Sequence, residues 1–221
     1  IPNALNFRYR PMPAATAREQ LEGLVRRHQF DPGLLDPAGG GFLLHVGGGQ
    51  WYKNREGLLA IYAALRRLLS PVPRLRVVGP PFAAAPGSPS GPEGKREGVV
   101  VISQVANSEL AALYNLAQAL IFPSWDEGFG WPVAEAQACG CPVFTSNRPP
   151  MTEVGGDGAA YFDPGDTDAA VGLIAERWAG RAEIAARGLL RAGEWNQSRM
   201  IDRYLATYQR LASSKPAEVF A

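Results

Sequence analysis

Short apolar runs, separated for the most part by stretches of helical periodicity, constrain this fold more than any other feature. The runs lie at 42–46, 75–78, 99–102, 119–122, 142–145 and 159–162. Each is four or five residues long, nearly continuous in apolar character and bounded by Gly, Pro or Asn, as a strand buried on both faces should be. Helical spacing covers 16–28, 54–69 and 108–117, a segment opening at Pro132, and then 167–178, 181–191 and 198–212. Pro suits a first helical turn. Buried strands alternating with helices predict an α/β fold: one doubly wound, Rossmann-like domain with a six-stranded parallel sheet and helices on both faces. Residues 1–13 are rich in Pro and Asn and read as a linker, leaving 14–221 as the domain. The stretch 80–98 is the one long loop, rich in Pro, Gly and Ser.

Composition removes several alternatives. With 221 residues, 46% hydrophobic and 19% charged, the chain has enough apolar surface for a core and is not disordered. A formal net charge of +1 supplies no bulk field for nucleic acid or an anionic membrane. Two cysteines cannot form a disulfide framework and favour a reducing, cytoplasmic setting. The apolar runs are too short to span a bilayer. The chain opens on Ile1-Pro2-Asn3 without an initiator Met or a basic-then-apolar leader, which suggests a piece of something longer.

Most familiar motifs fail here. Gly94-Lys95 lacks the upstream Gly and the following Ser or Thr of a phosphate loop. Asp166-Thr167-Asp168 resembles a metal-binding carboxylate pair, but it falls where a helix begins, so Asp166 is expected as an N-cap and no metal site is expected. Cys139-Gly140-Cys141 has no further ligands nearby and reads as two small buried residues flanking a helix-ending Gly. With two histidines in the chain, a triad could be built only on His28 or His45.

One motif holds. Residues 125–135, Trp-Asp-Glu-Gly-Phe-Gly-Trp-Pro-Val-Ala-Glu, follow a buried strand and run into a helix. Gly128 and Gly130 let the backbone approach a ligand, and the first amides of the helix form an anion site. Glu127 and Glu135 flank that site. A carboxylate repels phosphate but accepts charge-assisted bonds from sugar hydroxyls. The expected ligand therefore has an anionic centre with sugar hydroxyls on either side. Lys53 follows the Gly47-Gly48-Gly49 loop after the first strand, where it can supply counter-charge. It is one of only three lysines, and the helix dipole disfavours it at a helix start, which argues for function.

Glu127 and Glu135 within Glu-Gly-Phe-Gly-x-Pro-x-x-Glu resemble the signature of family-4 retaining glycosyltransferases, two-domain GT-B enzymes whose C-terminal domain binds a nucleotide sugar. The resemblance covers nearly the whole chain: Ile1-Pro2-Asn3 for the interdomain linker, Val46-Gly47 to Lys53-Asn54 for the glycine/lysine loop, and Ser108 to Tyr114 for the helix before the signature strand. The later landmarks are Pro149 to Gly155 and Tyr161-Phe162-Asp163-Pro164. It implies catalytic roles for Glu127, on the donor sugar, and Lys53, on the diphosphate. Donor-binding roles fall to Glu135 on the ribose, to the Gly48-Gly49 backbone, to the Phe129, Gly130 and Trp131 amides, and to the main chain near Val105 for the base. The family often carries an Arg where this chain has Gly48 or Tyr52, so a second cationic contact would fall to Arg55 or Arg148. Trp131 replaces a commoner small aliphatic residue.

The resemblance further implies front-face retaining transfer, no protein nucleophile, no cofactor and no metal. The co-substrate would be a nucleotide-diphosphate sugar and the acceptor a glycan, lipid or small molecule, held by an N-terminal domain absent from this chain. By itself the domain should bind donor weakly and turn over slowly. The helix at 198–212, with Trp195, Ile201, Tyr204, Leu205 and Tyr208 as an apolar stripe, is expected to pack on that domain. The expected setting is cytoplasmic, with peripheral membrane attachment only through the missing domain. The alternatives are a non-catalytic nucleotide-sugar-binding module and, less well fitted, a sugar-nucleotide epimerase.

Overall fold

The computed structural model describes residues 3–29, 41–71, 73–82 and 97–213. Six parallel strands form one sheet: β1 (Phe42–Val46), β2 (Arg74–Val78), β3 (Val99–Ile102), β4 (Ala119–Phe122), β5 (Val143–Ser146) and β6 (Ala160–Phe162). The helices are α1 (Ala14–His28), α2 (Arg55–Leu65), α3 (Asn107–Leu116), α4 (Trp131–Ala138), α5 (Met151–Gly155), α6 (Thr167–Arg177), α7 (Arg181–Ala192) and α8 (Gln197–Ser213). The expected doubly wound domain is present.

Two apolar layers sandwich the sheet, and the strand pleat decides which residue joins which. Phe42, Leu44, Leu120 and Phe122 pack with Leu21 and Leu24 of α1, Leu113 of α3 and Val133 of α4. Leu43 and Ile121 point the other way, onto Leu58 and Ile61 of α2 and Ala170 and Ile174 of α6. Both faces are covered, which explains why the strands read as continuous apolar runs.

The strand order is β3-β2-β1-β4-β5-β6. The chain builds outward from β1 to β3, then returns to lay β4 on the other side of β1. At such a switch point the two crossovers leave in opposite directions and open a crevice above the carboxyl ends of the strands. The glycine/lysine loop leaves β1 and the glutamate loop leaves β4, so the topology brings the two signals together.

Several local expectations are met. Asp166 caps α6, its side chain accepting from the Ala169 amide at 2.9 Å. Gly140 ends α4 with φ 72°, and the flanking Cys139 and Cys141 are free and buried. Burial pushes the Cys139 thiol up to about 12 and the Cys141 thiol up as well. Others need correction. The helix expected over 54–69 stops at Leu65, and Trp51–Lys53 form a short 3-10 turn before it. Trp195 does not belong to the exposed stripe of the last helix. It precedes α8 and is buried, its ring 5.4 Å from that of Phe129. Ile201, Tyr204, Leu205 and Tyr208 do form an exposed face on α8. Gly94-Lys95 and most of the 80–98 loop lie outside the described residues.

Residues 3–13 lie along the domain. The Leu5 amide donates to the Trp195 carbonyl at 3.1 Å, and Asn115 takes the Met12 amide at 2.8 Å. Tyr9 is buried edge-on to Tyr114, with ring centroids 6.1 Å apart.

Candidate functional site

Lys53 and Glu127 meet at the switch point. Lys53 Nζ donates to both carboxylate oxygens of Glu127, at 2.7 and 2.8 Å, and the side chains are only 13% and 9% exposed. The ammonium also lies 5.6 Å from the Tyr52 ring and 5.3 Å from the Phe122 ring, whose faces favour a desolvated cation. Gly47 makes room for this arrangement. A Cβ there would stand 3.2 Å from Lys53 Cδ and 2.9 Å from His45 Nε2, so any side chain would displace the lysine stem.

Asn54 holds the loops in register. It adopts the left-handed conformation (φ 49°) that Asn tolerates, and its Oδ1 caps α2 by accepting from Gly57 N at 3.2 Å. Its Nδ2 donates to the carbonyls of Pro123 and Pro164, each at 3.1 Å. The Trp125 amide donates to the Tyr52 carbonyl at 2.7 Å. These bonds tie the lysine turn to the loops after β4 and β6.

The glutamate loop delivers the chain to α4 through Gly130, whose φ of 86° favours glycine. No side chain caps α4; the Val133 and Ala134 amides bond back to the Gly130 carbonyl, and Pro132 has no amide to offer. Amides in the first turn of a helix point outward along its axis. A Cβ placed on Gly128 or Gly130 would meet nothing within 4 Å, so the approach to this backbone is open. Phe129 sits beside Trp131 with ring centroids 4.7 Å apart. Gly48 and Gly49 leave β1 on this same edge, and Val105 stands between β3 and α3, partly buried.

Glu135 is placed differently from Glu127. It is 8% exposed and accepts from Tyr114 Oη at 2.9 Å and from the Tyr9 hydroxyl. Burial raises its carboxyl above the ordinary range, while the two phenols favour the charged form. It is therefore not on a solvated helix face. Sequence reasoning missed both tyrosines, because Tyr9 lies in an irregular segment and Tyr114 reads as an ordinary core residue of α3.

Neither histidine builds a triad. His28 Nε2 donates to the Ser103 carbonyl at 3.0 Å. His45 is fully buried; its Nδ1 donates to the Ile121 carbonyl at 3.0 Å, and burial pulls it down to about 4, so the ring is neutral. Among the described residues, His45 Nε2, Ser124 Oγ and Ser146 Oγ are buried without a partner. All three lie at or just beyond the carboxyl ends of β1, β4 and β5, beneath the site. A polar residue closing an apolar run was the available signal. Of the two candidate second cations, Arg55 is buried, donating to the Pro80 carbonyl at 2.8 Å and lying 3.9 Å from the Phe82 ring. Arg148 is half-exposed, 5.0 Å from the Trp125 ring and 3.8 Å from Asp163. Among the described residues, no three His, Cys, Asp or Glu side chains group as metal ligands, and no helix is long and apolar enough to cross a membrane.

Comparison with known proteins agrees with this fold. The family model of the glycosyl transferases group 1 matches residues 28–183. The O-antigen chain mannosyltransferase B of Escherichia coli is 35% identical over 124 residues, covering 53% of this chain and 32% of that protein. Among solved structures, the sucrose-phosphate synthase of Thermosynechococcus elongatus superposes with a TM-score of 0.68 at 23% identity, covering 97% of this chain and 53% of that one. The trehalose-6-phosphate protein of E. coli, bound with UDP-2-fluoro glucose, gives 0.64 at 12% identity, covering 89% and 50%. The chain thus spans about half or less of the relatives it matches. It belongs to the glycosyl transferases group 1 and has the fold of the C-terminal domain of a GT-B glycosyltransferase.

Proposed function

We propose that this chain is the donor domain of a retaining glycosyltransferase and binds a nucleotide-diphosphate sugar at the carboxyl edge of its sheet. The observation that carries the reading is the Lys53–Glu127 pair, clasped at the switch point beside the uncapped start of α4. In the donor-free state each group neutralises the other. An arriving diphosphate competes for the ammonium and for the α4 amides, while the sugar hydroxyls offer donors to the carboxylate. The exchange keeps both charges solvated by partners throughout. The fold neighbour bound with a UDP sugar supports this donor class.

During transfer, negative charge grows on the leaving phosphate oxygen. Lys53 and the Gly130 and Trp131 amides stabilise it, and one such donor contributes about 3–4 kcal/mol of barrier lowering. No residue is assigned as nucleophile, and no metal is needed where a lysine and a helix start carry the counter-charge. Glu135 takes the ribose hydroxyls, with Tyr9 and Tyr114 holding its carboxylate in place. Residues 1–13 join this domain to a preceding one that holds the acceptor, and the exposed apolar face of α8 packs against it. The whole protein acts in the cytoplasm, in building a polysaccharide or another glycan. The test is a donor screen by calorimetry with UDP-, GDP- and ADP-sugars, with and without EDTA. Binding of one class regardless of EDTA is expected; loss on chelation would overturn the metal-free mechanism, and no binding of any would overturn the donor assignment.

A further inference from the structure

One buried side chain beneath the crevice has half of its hydrogen-bonding capacity committed and half open. His45 lies one residue before the end of β1 and is 0% exposed. Its Nδ1 faces the Ile121 carbonyl at 3.0 Å, and a carbonyl can only accept, so Nδ1 carries the proton. Burial holds the ring neutral, and the charge of Lys53 adds to that. Nε2 is therefore an unprotonated acceptor, buried and without a partner. Buried acceptors are rarely left so, because nothing repays their lost water.

Lys53 is the donor within reach. The point where a Cβ on Gly47 would stand is 2.9 Å from His45 Nε2 and 3.2 Å from Lys53 Cδ. The imidazole nitrogen and the lysine stem thus flank one small gap that a glycine leaves open. Both also border Phe122, with the His45 ring 5.9 Å and Lys53 Nζ 5.3 Å from the centre of its ring. The Ser124 and Ser146 hydroxyls at the same edge are themselves without a partner, so neither serves Nε2. Given the donor site described above, on which this rests, we propose that His45 is a positioning residue for Lys53. When a donor draws the ammonium off Glu127, Nε2 accepts one of its N–H bonds and aims the others at the diphosphate.

The kind of acceptor matters. An ammonium on a flexible stem needs a fixed partner to point it. Glu127 fixes the ammonium but cancels the charge that a leaving phosphate needs. A neutral imidazole fixes it and leaves that charge whole. The Ile121 bond serves the same end, since it locks the ring and selects the tautomer with Nε2 free.

Two substitutions separate the nitrogens. His45→Asn keeps a donor at the Nδ1 position and loses the acceptor, whereas His45→Gln can place an amide oxygen at the Nε2 position and loses the Ile121 bond. Calorimetry on the full chain with UDP, GDP and ADP reads both. His45→Asn should weaken the nucleotide that wild type binds by about 3- to 10-fold, the equivalent of one oriented hydrogen bond, while His45→Gln should stay within about twofold of wild type. The reverse order would reduce His45 to a structural bond and overturn the proposal, as would two variants that bind alike. Nitrogen NMR of the donor-free chain tests the contact apart from the donor. In Glu127→Ala the ammonium loses its carboxylate, so the His45 Nε2 resonance should move upfield, as it does when an unprotonated ring nitrogen accepts a hydrogen bond. Adding Lys53→Met should reverse the shift. No shift, or one that survives Lys53→Met, overturns the proposal; if Glu127→Ala does not fold, the calorimetric order of the two His45 variants decides. The expected shift in a chain whose wild type binds none of the three nucleotides would uphold the contact and overturn the donor reading instead.

Discussion

Lys53 and Glu127 are each 74 residues from their partner, and each is nearly buried. Removing one partner of such a pair leaves an uncompensated charge, at a cost of about 3–5 kcal/mol. Lys53→Met and Glu127→Gln should each lower stability by that order, whereas the double variant should lose much less than the sum. Urea denaturation of the four proteins measures the coupling; strictly additive losses would mean that the pair is not formed in solution. His45 makes a second residue-scale prediction. Its folded pKa of about 4 lies below the ordinary 6.5, so its contribution to stability is complete above 6.5 and is lost as pH falls through 4. The loss amounts to about 3 kcal/mol. Thermal melts of wild type and His45→Phe between pH 7 and 4 should show a flatter dependence in the variant. Parallel curves would show that His45 is not buried as a neutral ring.

At this scale the sequence was informative about identity and silent about contact. The spacing of Glu127, Glu135 and the intervening glycines marked the loop, and an isolated Lys after a glycine loop marked its counterpart. Nothing local could reveal that the two charges bond each other, because only the return of β4 to the side of β1 brings them together. Nor could it reveal that Glu135 faces two phenols rather than solvent.

Elements were legible where they were long or regular. All six strands fall within one residue of their expected bounds, because both faces of the sheet are covered and each strand is a short, mainly apolar run. α2 ends early because its last turn tightens into i−3 bonds, Arg67 to Ala64 and Leu68 to Leu65, ahead of the Ser70-Pro71 break. The five residues of α5 are too few to show a period. Asn54 is the element-scale test, since one side chain caps α2 and joins two other loops. Asn54→Ala removes a cap and two buried donors and should cost about 2–3 kcal/mol. A melting point unchanged from wild type would show that the loops hold themselves in place. In Asn54→Ala the Lys53 turn should also loosen, visible as faster amide exchange at Lys53 and Trp125.

For the whole molecule, the switch-point topology accounts for where the chemistry collects. It places the glycine loop after β1, the glutamate loop after β4 and the start of α4 above one crevice. The central claim is that this crevice binds a nucleotide-diphosphate sugar through the groups named. The most direct measurement is the dissociation constant of the nucleoside diphosphate and of its sugar conjugate for wild type, Glu135→Ala and Glu127→Ala. Glu135→Ala should weaken both ligands by roughly 10- to 150-fold, the equivalent of about 1.5–3 kcal/mol for a charge-assisted bond. Glu127→Ala frees Lys53 from its competing carboxylate, so it should bind the nucleoside diphosphate at least as tightly as wild type and lose the additional affinity of the sugar. Unchanged affinities in both variants, for ligands that wild type binds, would contradict the account and place the site elsewhere.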